Sequence, residues 1–184
     1  MDFAGLLKKK KYILLDGALG TELERRGAGA GALCNYSHPE LVKQVHREYI
    51  EAGADAFVTN TFCMNRIYIE THGSNAEVGE VNRLGVETAR EAAAGSGAAV
   101  LGEIGLAGQM LHPHGYYRED QFYTAYLEQA KAVAAAGVDA FIVETATDLR
   151  EALGALKVCR ENFKLPVVVS MSFSTVKEGG RTMM

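Results

Sequence analysis

A chain of 184 residues with 48% apolar and 23% charged side chains has the composition of an ordinary soluble globular protein, which excludes global disorder. A net charge of −4 and a pI near 5.8, with Lys8 to Lys11 as the only basic run, argue against nucleic acid as a partner and leave that run as the cap of a solvated first segment. No apolar stretch approaches the roughly 18 to 20 residues of a membrane span, and the run after Lys11 is too short for a signal-peptide core, so no membrane contact and a cytoplasmic location are expected.

The segment YILLDG, Tyr12 to Gly17, is a short apolar run closed by Asp-Gly and predicts a first strand buried on both faces. After an irregular stretch rich in Gly and Ala, Ser37 and Glu40 flank Pro39 in a capping-box arrangement. Leu41, Val45 and Tyr49 then recur at a helical spacing, with Val42 and Ile50 beside them, in a helix that ends at Gly53. DAFVTNTF is the second strand. A helix over roughly Glu77 to Ala94, with Val81, Leu84, Thr88 and Ala92 on one face, leads to a third strand, Ala98 to Gly105. A helix from about Gln121 to Ala136 leads to a fourth strand, DAFIVETA. A last helix, about Leu149 to Asn162, precedes a fifth strand, Pro166 to Phe173.

Alternating helices and uniformly apolar strands indicate an α/β fold with a parallel sheet. The phrase AGADAFVTNTF, starting at Ala52, returns as AGVDAFIVETA, starting at Ala136, an offset of 84 positions that covers two βα units. Each unit is therefore somewhat longer than the roughly 30 residues of a compact barrel unit. A dinucleotide-binding sheet would carry G-x-G-x-x-G after its first strand, and Gly17, Gly20 and Gly27 have the wrong spacing. The expectation is a (β/α)₈ TIM-barrel type of fold, truncated to about five parallel strands and four helices, with residues 1–184 forming one partial barrel domain. Five strands do not close a barrel, so exposed sheet edges and a homo-oligomer that covers them are expected.

Barrel chemistry sits at the C-terminal ends of the strands. Those ends carry Asp16-Gly17, Asn60-Thr61, Glu103, Glu144-Thr145 and Ser170 with Ser172. The Ser and Thr residues among them could equally serve helix caps or barrel-mouth backbone groups. A carboxylate directly after an apolar run, as at Glu144, demands a cation or a donor, and a substrate ammonium would serve. No strand end carries a Lys, which disfavours a Schiff-base lyase or aldolase.

The segments ILLDGALGTELERRG, HPELVKQVHREYIEAGADAFVTNTF, VNRLGVETAREA, GVDAFIVETATDLREALGAL and VVVSMSF, in this order, resemble the N-terminal part of the homocysteine S-methyltransferase family. The resemblance implies a zinc-binding (β/α)₈ barrel that methylates the thiol of homocysteine, or of a similar thiol amino acid, to give methionine. The implied donor partner is a methylated compound, or a corrinoid protein or domain carrying methylcobalamin. It further implies that Asp16 and the Gly17 backbone form part of the amino-acid pocket, that Asn60 and Thr61 line it, and that Glu144 holds the substrate α-ammonium.

The family's zinc ligands are cysteines after the sixth and eighth strands, which have no counterpart before Met184. Cys34, Cys63 and Cys159 have neither paired nor zinc-ligand spacing, so reduced thiols and no metal site are expected. Of the three, Cys63 alone falls on the same rim as the polar strand ends. His112 and His114 in HPHG also fall in a rim loop, although two His at that spacing in a loop are more often exposed or capping. Glu103 departs from the family pattern, as does the absence of a proline after Ile104-Gly105. The expectation is an enzyme fragment that is inactive alone, with a non-catalytic binding or self-assembling half-barrel as the alternative.

Overall fold

The computed structural model describes residues 3–29, 31–175 and 180–181. Eight helices are present among them: α1 (Phe3–Lys9), α2 (Leu19–Arg25), α3 (Cys34–Ser37), α4 (Pro39–Glu51), α5 (Arg66–Thr71), α6 (Val78–Ala93), α7 (Glu119–Ala135) and α8 (Leu149–Asn162). Four strands, β1 (Ala56–Val58), β2 (Ala99–Glu103), β3 (Ala140–Ala146) and β4 (Val167–Met171), form one parallel sheet in sequential order. A short antiparallel pair, β5 (Ser174–Thr175) and β6 (Gly180–Arg181), follows.

Alternation along the strands assigns each sheet face. Phe57, Val100, Phe141 and Val143 pack with side chains of α5, α6, α7 and α8 in the main core. Ala56, Ala99, Leu101, Ala140 and Ile142 point the other way and are covered by Phe3 and Leu6 of α1. Successive strand side chains alternate between faces, and here one face carries the helix layer. The helices α4, α6, α7 and α8 pack side by side in chain order. Sequential strands with one main helix layer differ from a doubly wound sheet, which reverses strand order and carries helices on both faces.

The expected five strands and four helices require correction. Tyr12 to Gly17 reaches the sheet only as a bridge from Leu15 to Ala56, with Asp16 N–H donating to Ala56 O at 3.2 Å and Asp55 N–H to Leu14 O at 2.8 Å. Tyr12 and Leu14 are 75% and 57% exposed, so this segment is an edge rather than a strand buried on both faces. The additional helices α1, α2, α3 and α5 lie where sequence periodicity gave no signal, because each has seven residues or fewer. The capping-box reading fails at Ser37, which ends α3 and donates its hydroxyl to Leu33 O, while Pro39 begins α4 behind His38.

Caps elsewhere account for the start of the long helices. Glu77 accepts from Glu80 N–H at 2.8 Å ahead of α6, and Asp148 accepts from Arg150 N–H at 2.8 Å ahead of α8. Each satisfies a backbone donor that a helix N-terminus leaves free.

Candidate functional site

The C-terminal end of β1 continues into Thr59-Asn60-Thr61, whose side chains do separate jobs. Thr61 donates its hydroxyl to Glu103 O at 2.9 Å, and Glu103 N–H donates to Thr59 Oγ1 at 3.0 Å. The 2.8 Å contact between the two hydroxyls is therefore donated by Thr59. Thr61 is fully buried and its hydroxyl is spent in this clasp, so it fixes the end of β2 rather than reaching solvent. Gln129 Nε2 donates to Thr61 O at 2.9 Å, which ties the clasp to α7. Asn60 donates to Gly31 O at 3.2 Å and to Asn35 Oδ1 at 2.9 Å, drawing the first loop over the strand end.

A cavity of about 640 Å³ opens above these strand ends, with Asp16, Gly17, Asn60, Phe62, Tyr68, Glu103 and Glu144 among its lining residues. Asp16, Gly17, Asn60 and Glu144, which the sequence singled out, thus share one wall system with Glu103. Thr61, Ser170, His112 and His114 do not line it. Gly17 sits so close to Tyr49 that a Cβ there would come within 2.8 Å of the Tyr49 hydroxyl. A larger hollow of about 720 Å³ between α7 and α8 has Glu119, Tyr123, Arg150 and Leu153 in its wall. It lies on the helix layer, away from the strand ends, and its Glu119 is already paired with Arg150 at 2.8 Å.

Strand period explains why two carboxyls meet. Glu103 follows Leu101 and Glu144 follows Ile142 on the face opposite the helix layer, and Glu103 is registered against Ile142. In β3 two residues, Glu144 and Thr145, stand opposite the single Ser170 of β4, because Val143 pairs with Val169 and Ala146 with Met171. This bulge places Thr145 at φ 60°, a left-handed conformation that a β-branched residue rarely takes.

Among the described residues the cavity is lined by the carboxyls of Asp16, Glu103 and Glu144 and by neither Lys nor Arg, so its electrostatics are acidic. Burial pushes Asp16 up to about 7, opposed by the Val58 N–H that both its oxygens accept at 3.2 Å and reinforced by the charge of Glu144. Burial, with the neighbouring charge of Glu144, holds Glu103 well above the usual carboxylate range. Glu144 is also raised by burial, and the hydrogen bond from Glu103 works against that rise. Glu103 is the more deeply buried of the two, so burial and its neighbour push it furthest toward the neutral form.

The residues present do not fit a zinc site. Among the described residues no group of three or more His, Cys, Asp or Glu is arranged to hold a metal. The thiols of Cys34, Cys63 and Cys159 are all free and buried in separate surroundings. Burial pushes Cys63 and Cys159 up to about 12.

Two further functional candidates lay outside the sequence reading. Phe62 and Tyr68 supply aromatic wall to the cavity. Tyr68 arrives there on α5, the helix capped by Asn65, whose oxygen accepts Tyr68 N–H at 3.0 Å; Asn65 followed three residues later by Tyr68 was the available signal.

An α/β chain with an acidic strand-end cavity of this form defines the class, and comparison with known proteins gives the family. The family model described as homocysteine S-methyltransferase matches residues 13–184, and the chain belongs to that family. It is 32% identical over 161 residues to a methionine synthase of Mycobacterium tuberculosis, covering 80% of this chain and 13% of that protein. It is 31% identical over 179 residues to the homocysteine S-methyltransferase YbgG of Bacillus subtilis, covering 85% and 57%. The metallated form of the homocysteine methyltransferase MmuM from Escherichia coli is similar in structure, with a TM-score of 0.77 and 25% identity over 97% of this chain and 68% of that one. The chain thus spans little over half of YbgG and about an eighth of the methionine synthase.

Proposed function

We propose that this chain is the homocysteine-binding part of a methyltransferase, built as a portion of a (β/α)₈ barrel, and that its strand-end cavity receives the amino-acid end of the thiol substrate. The observation that carries this reading is the convergence of Asp16 and Glu144 on a cavity with neither Lys nor Arg among the described residues of its lining. A cavity of that sign attracts an ammonium group and repels a free carboxylate from its acidic side.

Glu144, the less buried of the two glutamates, meets the ammonium, and Asp16, already held by Val58 N–H, meets it from the edge segment beside β1. The exposed Gly17 backbone faces the ligand carboxylate. The Asn60 amide nitrogen is committed to Gly31 and Asn35, so Asn60 offers its side-chain oxygen. Thr61 acts through the clasp that holds Glu103 in place.

Methyl transfer to homocysteine gives methionine, and a thiol with an ordinary pKa near 8.5 is mostly protonated at neutral pH, so the sulfur needs activation. The described thiols and imidazoles supply no group for that step. The chain by itself therefore binds and orients the amino acid without turnover.

Isothermal titration with L-homocysteine under reducing conditions tests the reading. Wild-type protein binds, and Glu144→Ala and Asp16→Ala each weaken binding by roughly tenfold or more, as loss of a hydrogen bond to a charged group requires. Unchanged affinity in both folded variants would contradict it.

A further inference from the structure

The proposed amino-acid cavity leaves one of its carboxyls without a task. Glu103 is 3% exposed, and its backbone is held by Thr61 Oγ1 at the carbonyl (2.9 Å) and by Thr59 Oγ1 at the N–H (3.0 Å). Gln129 Nε2 reaches the same carbonyl at 3.4 Å. The sheet, not side-chain freedom, thus sets where Glu103 points. It points into the cavity that Asp16 and Glu144 line.

Its Oε1 is buried and has no hydrogen-bond partner. A buried acceptor left unpaired is costly, and native structures rarely keep one without a reason. A carboxyl oxygen that carries no proton can only accept. Among the described residues the lining contains neither Lys, Arg nor His to meet it, and a donor on a ligand in the cavity would supply the missing partner.

Asp16, Glu103 and Glu144 all line this one volume, so three carboxyl groups can offer acceptors to a ligand there. A primary ammonium has three N–H donors and matches them in number, whereas each N-methyl group removes a donor and adds bulk. We propose that Glu103 is a third acceptor for the ligand ammonium and that Asp16, Glu103 and Glu144 together select a primary amine over its N-methylated forms. This inference rests on the amino-acid reading of the cavity and adds a residue and a selectivity to it.

Titration of the wild-type chain with L-homocysteine and with its N-methyl and N,N,N-trimethyl derivatives tests the selectivity without any variant. Affinity is expected to fall at each step, by roughly tenfold for each hydrogen bond lost to a charged or buried group. Equal or tighter binding of the trimethyl derivative, the result that aromatic capture by Phe62 and Tyr68 would give, overturns the inference. Glu103→Gln keeps a donor for Glu144 and an acceptor for the ligand, and it binds homocysteine within about threefold of wild type; Glu103→Leu loses about tenfold and narrows the gap between homocysteine and its N-methyl derivative. If Glu144→Ala weakens homocysteine binding while wild type takes all three amines equally, this inference fails and the amino-acid reading stands. Absence of homocysteine binding to wild type removes both.

Discussion

At the scale of single residues, His46 of α4 is fully buried against Phe57, with ring centroids 4.9 Å apart and neither ring nitrogen hydrogen-bonded. Burial lowers its pKa from 6.5 to about 4. The unfolded chain takes up a proton as pH falls below 6.5 and the folded chain does not until about 4, so stability declines through that window. A shift of this size corresponds to about 3 kcal/mol by pH 4. Urea unfolding at pH 7 and pH 4 measures it, and His46→Leu should lose correspondingly less on acidification; equal losses would show that His46 does not contribute. His46 escaped the sequence because the predicted stripe of Leu41, Val45 and Tyr49, with Val42 and Ile50 beside them, was apolar throughout, whereas the buried residues of α4 are Val42, Val45 and the polar His46. Asp16 and Glu144 were legible, since a carboxylate closing an apolar run has few structural uses. Thr61 and Asn60 looked alike in sequence, and their different hydrogen bonds depend on Glu103 and on Asn35, residues distant in the chain.

At the scale of elements, the fit of β2 against α7 depends on Gly102. A Cβ there would lie 2.2 Å from Val133 Cγ1 and 2.9 Å from Val138 Cγ1. Gly102→Ala should therefore cost roughly 1 to 3 kcal/mol through overpacking, as a loss of urea midpoint with unchanged slope. No change in midpoint would mean that α7 moves aside freely. Elements with long periodic patterns were legible, and α8 has the bounds its sequence predicts, Leu149 to Asn162. The first strand was not, because YILL reads as buried on composition while its neighbours in space decide that it is an edge. The β3 bulge was also hidden, since Glu144-Thr145 becomes two-against-one only through its register with β4.

At the scale of the molecule, the sheet, the helix layer and the first loop converge on one acidic cavity. The strands bring Glu103 and Glu144 to one face, the edge segment brings Asp16 beside β1, and Asn35 with Asn60 fastens the loop that closes the wall. The period-two pattern made it foreseeable that Glu103 and Glu144 face the same side, but not that burial raises both carboxyls. The central claim is that this cavity holds the amino-acid end of homocysteine. A crystal structure of the chain soaked with L-homocysteine tests it most directly. The account predicts the ligand nitrogen within hydrogen-bonding distance of Asp16 and Glu144, with Glu103 Oε1 as its third contact. Homocysteine seated elsewhere, or bound here with its nitrogen turned away from all three carboxyls, would contradict it.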